Sequence, residues 1–321
     1  MISVAMCTYN GEKFISKQLD SILAQTQSVD EIIICDDCSE DKTVAIVMEK
    51  LKISCVNYKI IKNDIRIGVT KNFQNAICNC SGDIIFLCDQ DDVWKNNKVE
   101  LICNKLKKEH EILLVFTDAD LIDENFSVFD NSLWETIKFK KTENYSVLDF
   151  FEKRFVTGAT VAFRKSLVEY IFPIPDCWIH DAWLAVNASV YGKVVSISEK
   201  TIYYRLHSSN TIGLQRGSII IRIKKRWDKL DASLEFRLCM AERVKSFMDL
   251  NGNKLSDIEK GELEKSYLFW MESYMLKEQP CFKALKIILK NIFNGNYKKF
   301  NHGLFGVAVD LCIRLRKIGV H

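Results

Sequence analysis

Apolar and polar positions in the first third of the chain alternate between two periods. Short apolar runs at Ile2–Cys7, Glu31–Cys35, Tyr58–Ile61, Ile84–Cys88 and Leu113–Phe116 predict strands, with Ile2–Cys7 and Ile84–Cys88 expected to be buried. Between them, apolar residues return at helical spacing. Phe14, Ile15, Leu19, Ile22 and Leu23 predict a helix within Glu12–Gln25, and Val44, Val47, Met48 and Leu51 a second. Phe73, Ala76 and Ile77 predict a third over Lys71–Cys80, and a fourth is expected over Asn97–Glu109. Strand and helix in strict alternation predict an α/β fold with a mostly parallel central sheet flanked by helices.

Polar groups recur where these strands end: Thr8-Tyr9-Asn10, Asp36-Asp37, and Asp89-Gln90-Asp91 followed by Asp92. The carboxyl ends of parallel strands are where open α/β sheets bind ligands. Asp89 and Asp91, one residue apart, can be aimed at one hard cation that also takes phosphate oxygens. There is no glycine-rich phosphate loop after the first strand, which argues against an ATPase or a dinucleotide-dependent dehydrogenase.

Beyond this region the pattern weakens. Asn125–Glu143 is expected to wrap the surface, and small residues in Thr157–Phe163 lead into a strand. Pro173 and Pro175 bracket a turn. Asp181 opens a helical stretch through Ala188, where a carboxylate favours the positive helix end. Lys193–Ile197 and Thr201–Tyr204 predict two short strands before a polar exit loop with Arg205 and His207.

From Ile219 onward the pattern becomes long helices, at Leu230–Leu250, Leu263–Leu276 and around Phe282–Ile292. We therefore expect a catalytic domain over residues 1–215 and a helical region over residues 216–321. Charge follows the same division. The second region holds 21 Lys/Arg against 12 Asp/Glu, the first 24 against 30, within a net charge of +3. Phe282, Leu285, Ile288, Leu289 and Ile292 read as one apolar stripe, with Lys283, Lys286 and Lys290 opposite. That pattern predicts that residues 281–321 meet a membrane surface carrying anionic lipid. No run reaches the length of about 18 apolar residues that a membrane span requires. Twelve cysteines without a leader-like start point to a reducing, cytoplasmic setting, on the inner face of the membrane if the tail binds it. Cys7, Cys35 and Cys88 are expected to pack as small hydrophobes. Nothing resembles a nucleic-acid-reading module.

Taken together, Val4–Gly11, Ile34–Ser39 with Asp41 and Thr43, Gly68 with Asn72-Phe73, and Phe86–Trp94 resemble the family-2 inverting glycosyltransferases. His180–Leu184 and Tyr204–His207 extend the likeness, which covers about residues 2–212 and is greatest to the rhamnosyltransferase-like branch of bacterial surface polysaccharide biosynthesis. The resemblance implies a GT-A fold and transfer of a sugar from a UDP- or dTDP-sugar, dTDP-L-rhamnose included. It implies a glycan or polyprenyl-linked acceptor.

By the same resemblance, Thr8, Tyr9, Asn10, Asp36, Asp37, Lys71, Asp89, Gln90 and Arg205 bind the nucleotide sugar, with Arg66 a further phosphate contact. Asp37 lies nearest the base. Asp89, Asp91 and His207 hold Mg2+ or Mn2+, while Asp92 braces the loop. Asp181 is the catalytic base, and Trp94, Thr157, Gly158, Trp178 and His180 face the acceptor. Family members often carry Glu-Asp where this chain has His180-Asp181, which leaves the acceptor contacts open. Self-association into a homo-oligomer is a further expectation. Two other readings remain. One is a catalytically silent glycan-binding or assembly protein; the other is a metal-dependent nucleotidyltransferase, which would want a lysine- and glycine-rich triphosphate loop.

Overall fold

The computed structural model describes residues 1–152, 155–206, 230–301 and 303–317. The chain divides into two compact units, Met1–Gly213 and Leu214–His321. The boundary expected at residues 215 and 216 falls outside the described residues.

The first unit opens with β1 (Ile2–Thr8), α1 (Ile15–Leu23), β2 (Glu31–Asp36), α2 (Thr43–Lys52), β3 (Asn57–Lys62), α3 (Val69–Asn79) and β4 (Ile84–Asp89). It continues through β5 (Val93–Trp94), α4 (Lys98–Lys108), β6 (Ile112–Ile122), β7 (Val128–Ser132), α5 (Leu133–Ile137) and α6 (Val147–Glu152). The turn Gly158–Thr160, β8 (Ala162–Arg164), α7 (Val168–Ile171), α8 (His180–Tyr191) and β9 (Lys193–Arg205) complete it. Every residue of β1 is buried, and β2 and β4 are buried along nearly their whole length. Their unbroken apolar runs are those of strands covered on both faces. β3 is the sheet edge and largely exposed. On α2, Val47 and Leu51 face the core, whereas Met48, expected on that face, is 54% exposed.

The strands lie in the order β3-β2-β1-β4-β8-β6-β9-β5, with β7 on β6. β1 pairs parallel with β2 and β4, and β2 with β3. The far half is mixed, because β8 runs antiparallel between β4 and β6 and β5 runs antiparallel to β9. The register sets Thr8 beside Asp36, and Cys7 beside both Cys35 and Asp89. Three polar strand ends therefore stand in one row.

Two expectations are corrected here. The strand expected to end at Phe116 runs on to Ile122 through Thr117-Asp118-Ala119-Asp120, and the two short strands after Lys193 are one, β9. These two form a long parallel ladder with register shifts near Thr117 and Asp118. Its polar side chains are all matched. Thr117 and Thr201 share a hydroxyl hydrogen bond of 2.6 Å, and Asp118 accepts from the backbone N–H of Ala119 and Trp134. Asp120 accepts from Lys95 and pairs with Lys200.

The second unit is helical among the described residues: Leu230–Asn251, Asp257–Met275, Cys281–Phe293, Asn296–Phe300 and Leu304–Lys317. Ala241, Phe269, Trp270, Leu276, Ala284, Ile288 and Tyr297 form its core. Beside them a buried polar knot joins the helices. Arg237 pairs with Asp310, whose other oxygen accepts from Ser273 at 2.7 Å and Tyr297 at 2.6 Å.

Candidate active site

The site grows from the row of strand ends. Asp36 is 2% exposed and accepts from the Thr8 hydroxyl, the Ser39 hydroxyl and the Ser39 N–H. Thr8 and Asp36, expected to touch the nucleotide, thus spend their polar atoms on tying β1 to the loop after β2. Asp37 reaches the other way. One of its oxygens accepts from Asn63 Nδ2 and the Ile67 N–H, the other from the Gly68 N–H at 2.9 Å. Asn72 backs this arrangement, accepting from Asn63 and donating to the Cys35 carbonyl. Asn10, at φ +48, donates its N–H to Ser39 and accepts from Glu40. Tyr9 lies under Arg66, whose guanidinium carbon is 3.9 Å from the ring centre. That pair makes a flat cationic and aromatic surface at the end of β1.

Gln90 does not point outward as a donor contact. Its amide clamps the Tyr9 backbone from both sides, Oε1 accepting from the N–H at 2.8 Å and Nε2 donating to the carbonyl at 2.9 Å. Gly11 is required beside it, since a Cβ there would fall 2.2 Å from Gln90 Oε1. Arg205, expected on phosphate, is 2% exposed and serves the same loop. Its Nε donates to the Asp91 carbonyl, its Nη1 to the Asp123 carbonyl, and its N–H to Asp92 Oδ1. The last residue of β9 therefore fixes the shape of the Asp89–Asp92 turn. Asp92 braces that turn from within, and burial with Asp91 and Asp89 nearby pushes its carboxyl well up.

Asp89 stands at the mouth of this turn. Burial, then Asp91, then Asp181 raise its carboxyl to about 7. The charges of Asp91 and Asp181 add repulsion to the effect of burial on Asp89. A divalent cation would relieve it, and hard carboxylate oxygens fit Mg2+ or Mn2+. Among the described residues no three His, Cys, Asp or Glu side chains are set to hold an ion. Asp89 and Asp91 are thus a two-carboxylate donor set suited to an ion completed by substrate oxygens and water. His207 lies outside the described residues.

Asp181 enters from the first turn of α8, half-buried. Its Oδ2 accepts from the Gly158 N–H at 3.0 Å. The Gly158–Thr160 turn, after Thr157, comes close against α8, and a Cβ on Gly158 would fall 2.9 Å from His180 Nε2. His180 is 5% exposed and stacks on Phe73 at 4.0 Å, with neither ring nitrogen hydrogen-bonded among the described residues. Burial holds its pKa below the usual value, so the ring is neutral.

Two tryptophans expected to face an acceptor are interior. Trp94 is 2% exposed against Phe86, and Trp178 is 4% exposed against Trp183 and Phe151. Large aromatic area is better satisfied by packing than by water. Lys71 is exposed at the start of α3 and pairs with Asp176 at 3.1 Å. Cys7 is buried with its thiol pushed well up by burial, as a packing residue would be.

Sequence reading missed Lys98. It is wholly buried, its ammonium donating to the Ala159 carbonyl at 2.7 Å and lying 3.9 Å from the Trp94 ring centre. Burial lowers it to about 7, against the pull of Cys88, Asp92 and Asp89. A signal existed, because Lys98, Ile102 and Leu106 share one helical face and that face is apolar. This lysine joins α4 to the turn whose N–H holds Asp181.

Residues 3–172 match the family described as Glycosyl transferase family 2. The chain is 25% identical over 236 residues to the Escherichia coli UDP-Glc:alpha-D-GlcNAc-diphosphoundecaprenol beta-1,3-glucosyltransferase WfgD, covering 73% of this chain and 87% of that one. It is 28% identical over 222 residues to the dTDP-rhamnosyl transferase RfbG of Shigella flexneri, covering 65% and 73%. The chain spans 66% of the length of a Nostoc relative named as an uncharacterized glycosyltransferase and 59% of an uncharacterized Mycobacterium bovis protein. Among solved structures, Staphylococcus aureus TarS 1-349 in complex with UDP superposes with a TM-score of 0.60 at 15% identity, over 98% of this chain and 91% of that one. The mannosyltransferase PcManGT of Pyrobaculum calidifontis, in complex with GDP-Man and Mn2+, gives 0.55 at 15%, over 99% and 86%. The shared fold is the GT-A fold.

Proposed function

Because the chain belongs to glycosyl transferase family 2 and is a glycosyltransferase, we propose that it moves a sugar, with inversion, from a UDP- or dTDP-sugar to a hydroxyl of a glycan or lipid-linked glycan in surface polysaccharide synthesis. One arrangement carries this reading: Asp89 and Asp91 follow the end of β4, and Asp181 is tied to the Gly158–Thr160 turn, which leads to Val161, whose carbonyl accepts from the Leu87 N–H of the same strand. Two of them suit a diphosphate-bound ion, while the third is held apart by Gly158. WfgD and RfbG, which by name use UDP-glucose and a dTDP-rhamnosyl donor, support both nucleotides as candidates.

In the proposed reaction, Tyr9 and Arg66 stack the base, with Asp37 closing that end of the pocket through the loop it holds. Lys71 meets the diphosphate once it exchanges Asp176 for phosphate. Asp89 and Asp91 would hold Mg2+ or Mn2+, which offsets negative charge on the departing diphosphate. Asp181 takes the proton from the acceptor hydroxyl as its oxygen bonds to the anomeric carbon. The bond from that carbon to the diphosphate oxygen breaks on the opposite face, and its electron pair leaves with the nucleotide. The Gly158 N–H holds Asp181 Oδ2 and the Ala182 N–H holds Oδ1, and each oxygen keeps a second lone pair with which to take the acceptor proton. Thr157, Gly158 and neutral His180 form the floor beside it.

The test is a titration of UDP, dTDP, GDP and CDP with Mn2+ or Mg2+, followed by thermal stabilisation. Metal-dependent stabilisation by UDP or dTDP is expected. Selective response to GDP or CDP, or none to any nucleotide, overturns the donor assignment.

A further inference from the structure

The helix Cys281–Phe293 is apolar on two faces, not one. Ala284 and Ile288 lie in the core of the second unit, so Ile288 leaves the stripe that the sequence pattern assigned to it. Phe282, Leu285, Leu289, Ile292 and Phe293 remain outside, at 82%, 50%, 43%, 40% and 85% exposure. At 3.6 residues per turn these five fall within roughly 100° of the helix surface, a continuous strip. Lys283, Lys286 and Lys290 form the next sector round, on the side away from the core. Lys290 pairs with Glu272, whereas Lys283 and Lys286 have no carboxylate partner among the described residues.

Water does not favour such a strip, and its chemistry narrows what covers it. From Lys277 to the end the sequence holds nine Lys/Arg and two Asp/Glu, and one of those acids, Asp310, is buried with Arg237. An apolar strip edged by unpaired lysines matches a surface that is oily beneath and anionic on top. Thirteen residues are too few to cross a bilayer, and no helix of the described residues is long and apolar enough to do so. Lying in the interface is the arrangement that suits this length.

We propose that this face docks on an anionic lipid bilayer, with Phe282, Leu285, Leu289, Ile292 and Phe293 entering the acyl boundary and Lys283 and Lys286 meeting lipid phosphates. The proposal goes beyond the transfer reaction and involves none of its residues. It would bring the enzyme to the surface where lipid-linked acceptors reside.

The test uses the full chain and phosphatidylcholine vesicles with and without phosphatidylglycerol, read by flotation. Binding to the phosphatidylglycerol vesicles is expected, weakening as salt rises. The F282S/F293S double variant changes only highly exposed side chains and should bind at least about tenfold more weakly. K283E/K286E should lose the preference for phosphatidylglycerol. No flotation with either vesicle, or undiminished flotation of F282S/F293S, overturns the proposal. So does a dimer, seen by light scattering, that F282S/F293S dissolves, because the face would then belong to a second copy. Turnover on a water-soluble acceptor should be unchanged in F282S/F293S, while Asp181→Asn should leave flotation intact, so this proposal and the catalytic one fail separately.

Discussion

At the residue scale, the structure separates carboxylates that hold loops from those proposed to meet substrate. Asp36 and Asp92 are buried and tied to backbone or hydroxyls, while the half-buried Asp181 accepts from the N–H of Gly158 on one oxygen and from that of Ala182 on the other. Asp181→Asn is close to isosteric and removes the proposed base. Its turnover should fall about 10²- to 10⁴-fold, with metal-dependent nucleotide stabilisation retained. Unchanged turnover would move the base elsewhere. Asp89 yields a pH prediction. Its carboxyl is raised to about 7 by burial, Asp91 and Asp181, so the folded protein keeps a proton there that the unfolded chain has released. Stability of the metal-free protein therefore falls as pH rises from the unfolded value towards about 7. A divalent ion needs the ionised form, so the apparent Mn2+ dissociation constant should rise by up to about tenfold per pH unit below 7. Calorimetric titration across that range checks it; a flat profile would separate Asp89 from the ion.

At the scale of elements, the ladder of β6 on β9 governs the back of the site, because β9 ends in Arg205 and Arg205 shapes the Asp89–Asp92 turn. Asp118 makes that ladder possible. It accepts from Ala119 within β6 and from Trp134 at the start of α5. Asp118→Ala strips a partner from buried N–H groups and should cost about 1–3 kcal/mol in urea unfolding. No measurable loss would show that water replaces the carboxylate. Lys98 acts at the same scale, joining α4 to the turn before β8 through the Ala159 carbonyl. Its burial makes sense only beside an acidic cluster, which offsets part of the cost of removing an ammonium from water.

At the scale of the whole molecule, two units hold themselves together by different means. The first relies on apolar strands covered by helices. The second adds the buried pair Arg237–Asp310, completed by Ser273 and Tyr297, to an aromatic core. Arg237→Ala leaves a buried carboxylate unpaired and should destabilise the second unit by about 3–5 kcal/mol. Hydrogen exchange of the helices Asp257–Met275 and Leu304–Lys317 would detect it, with exchange in β1 and β4 unaffected. Equal loosening of both units would mean that they unfold together.

The sequence by itself determined the front of the molecule. Short apolar runs bounded by polar turns read as strands and the 3.6-residue repeats between them as covering helices, which holds for β1, β2 and β4 buried on both faces and for β3 at the exposed edge. With polar residues at each strand end, this placed Thr8, Asp36 and Asp89 in a row before any contact was known. It also marked Asp181 as a carboxylate opening a helix. Tertiary structure alone decided which polar groups are free. Gln90 and Arg205 look like ligands in sequence because side chains that bind phosphate also bind backbone, and only the fold shows whose atoms they meet. It carried β6 through Thr117–Asp120, where local polarity argued for a loop and Thr201, Trp134, Lys95 and Lys200 supply partners from far along the chain. It sank Trp94 and Trp178, turned Ile288 inward and left Phe282 and Phe293 outside. A linear pattern reports how apolar a face is; what lies against that face is fixed by segments far away in the chain.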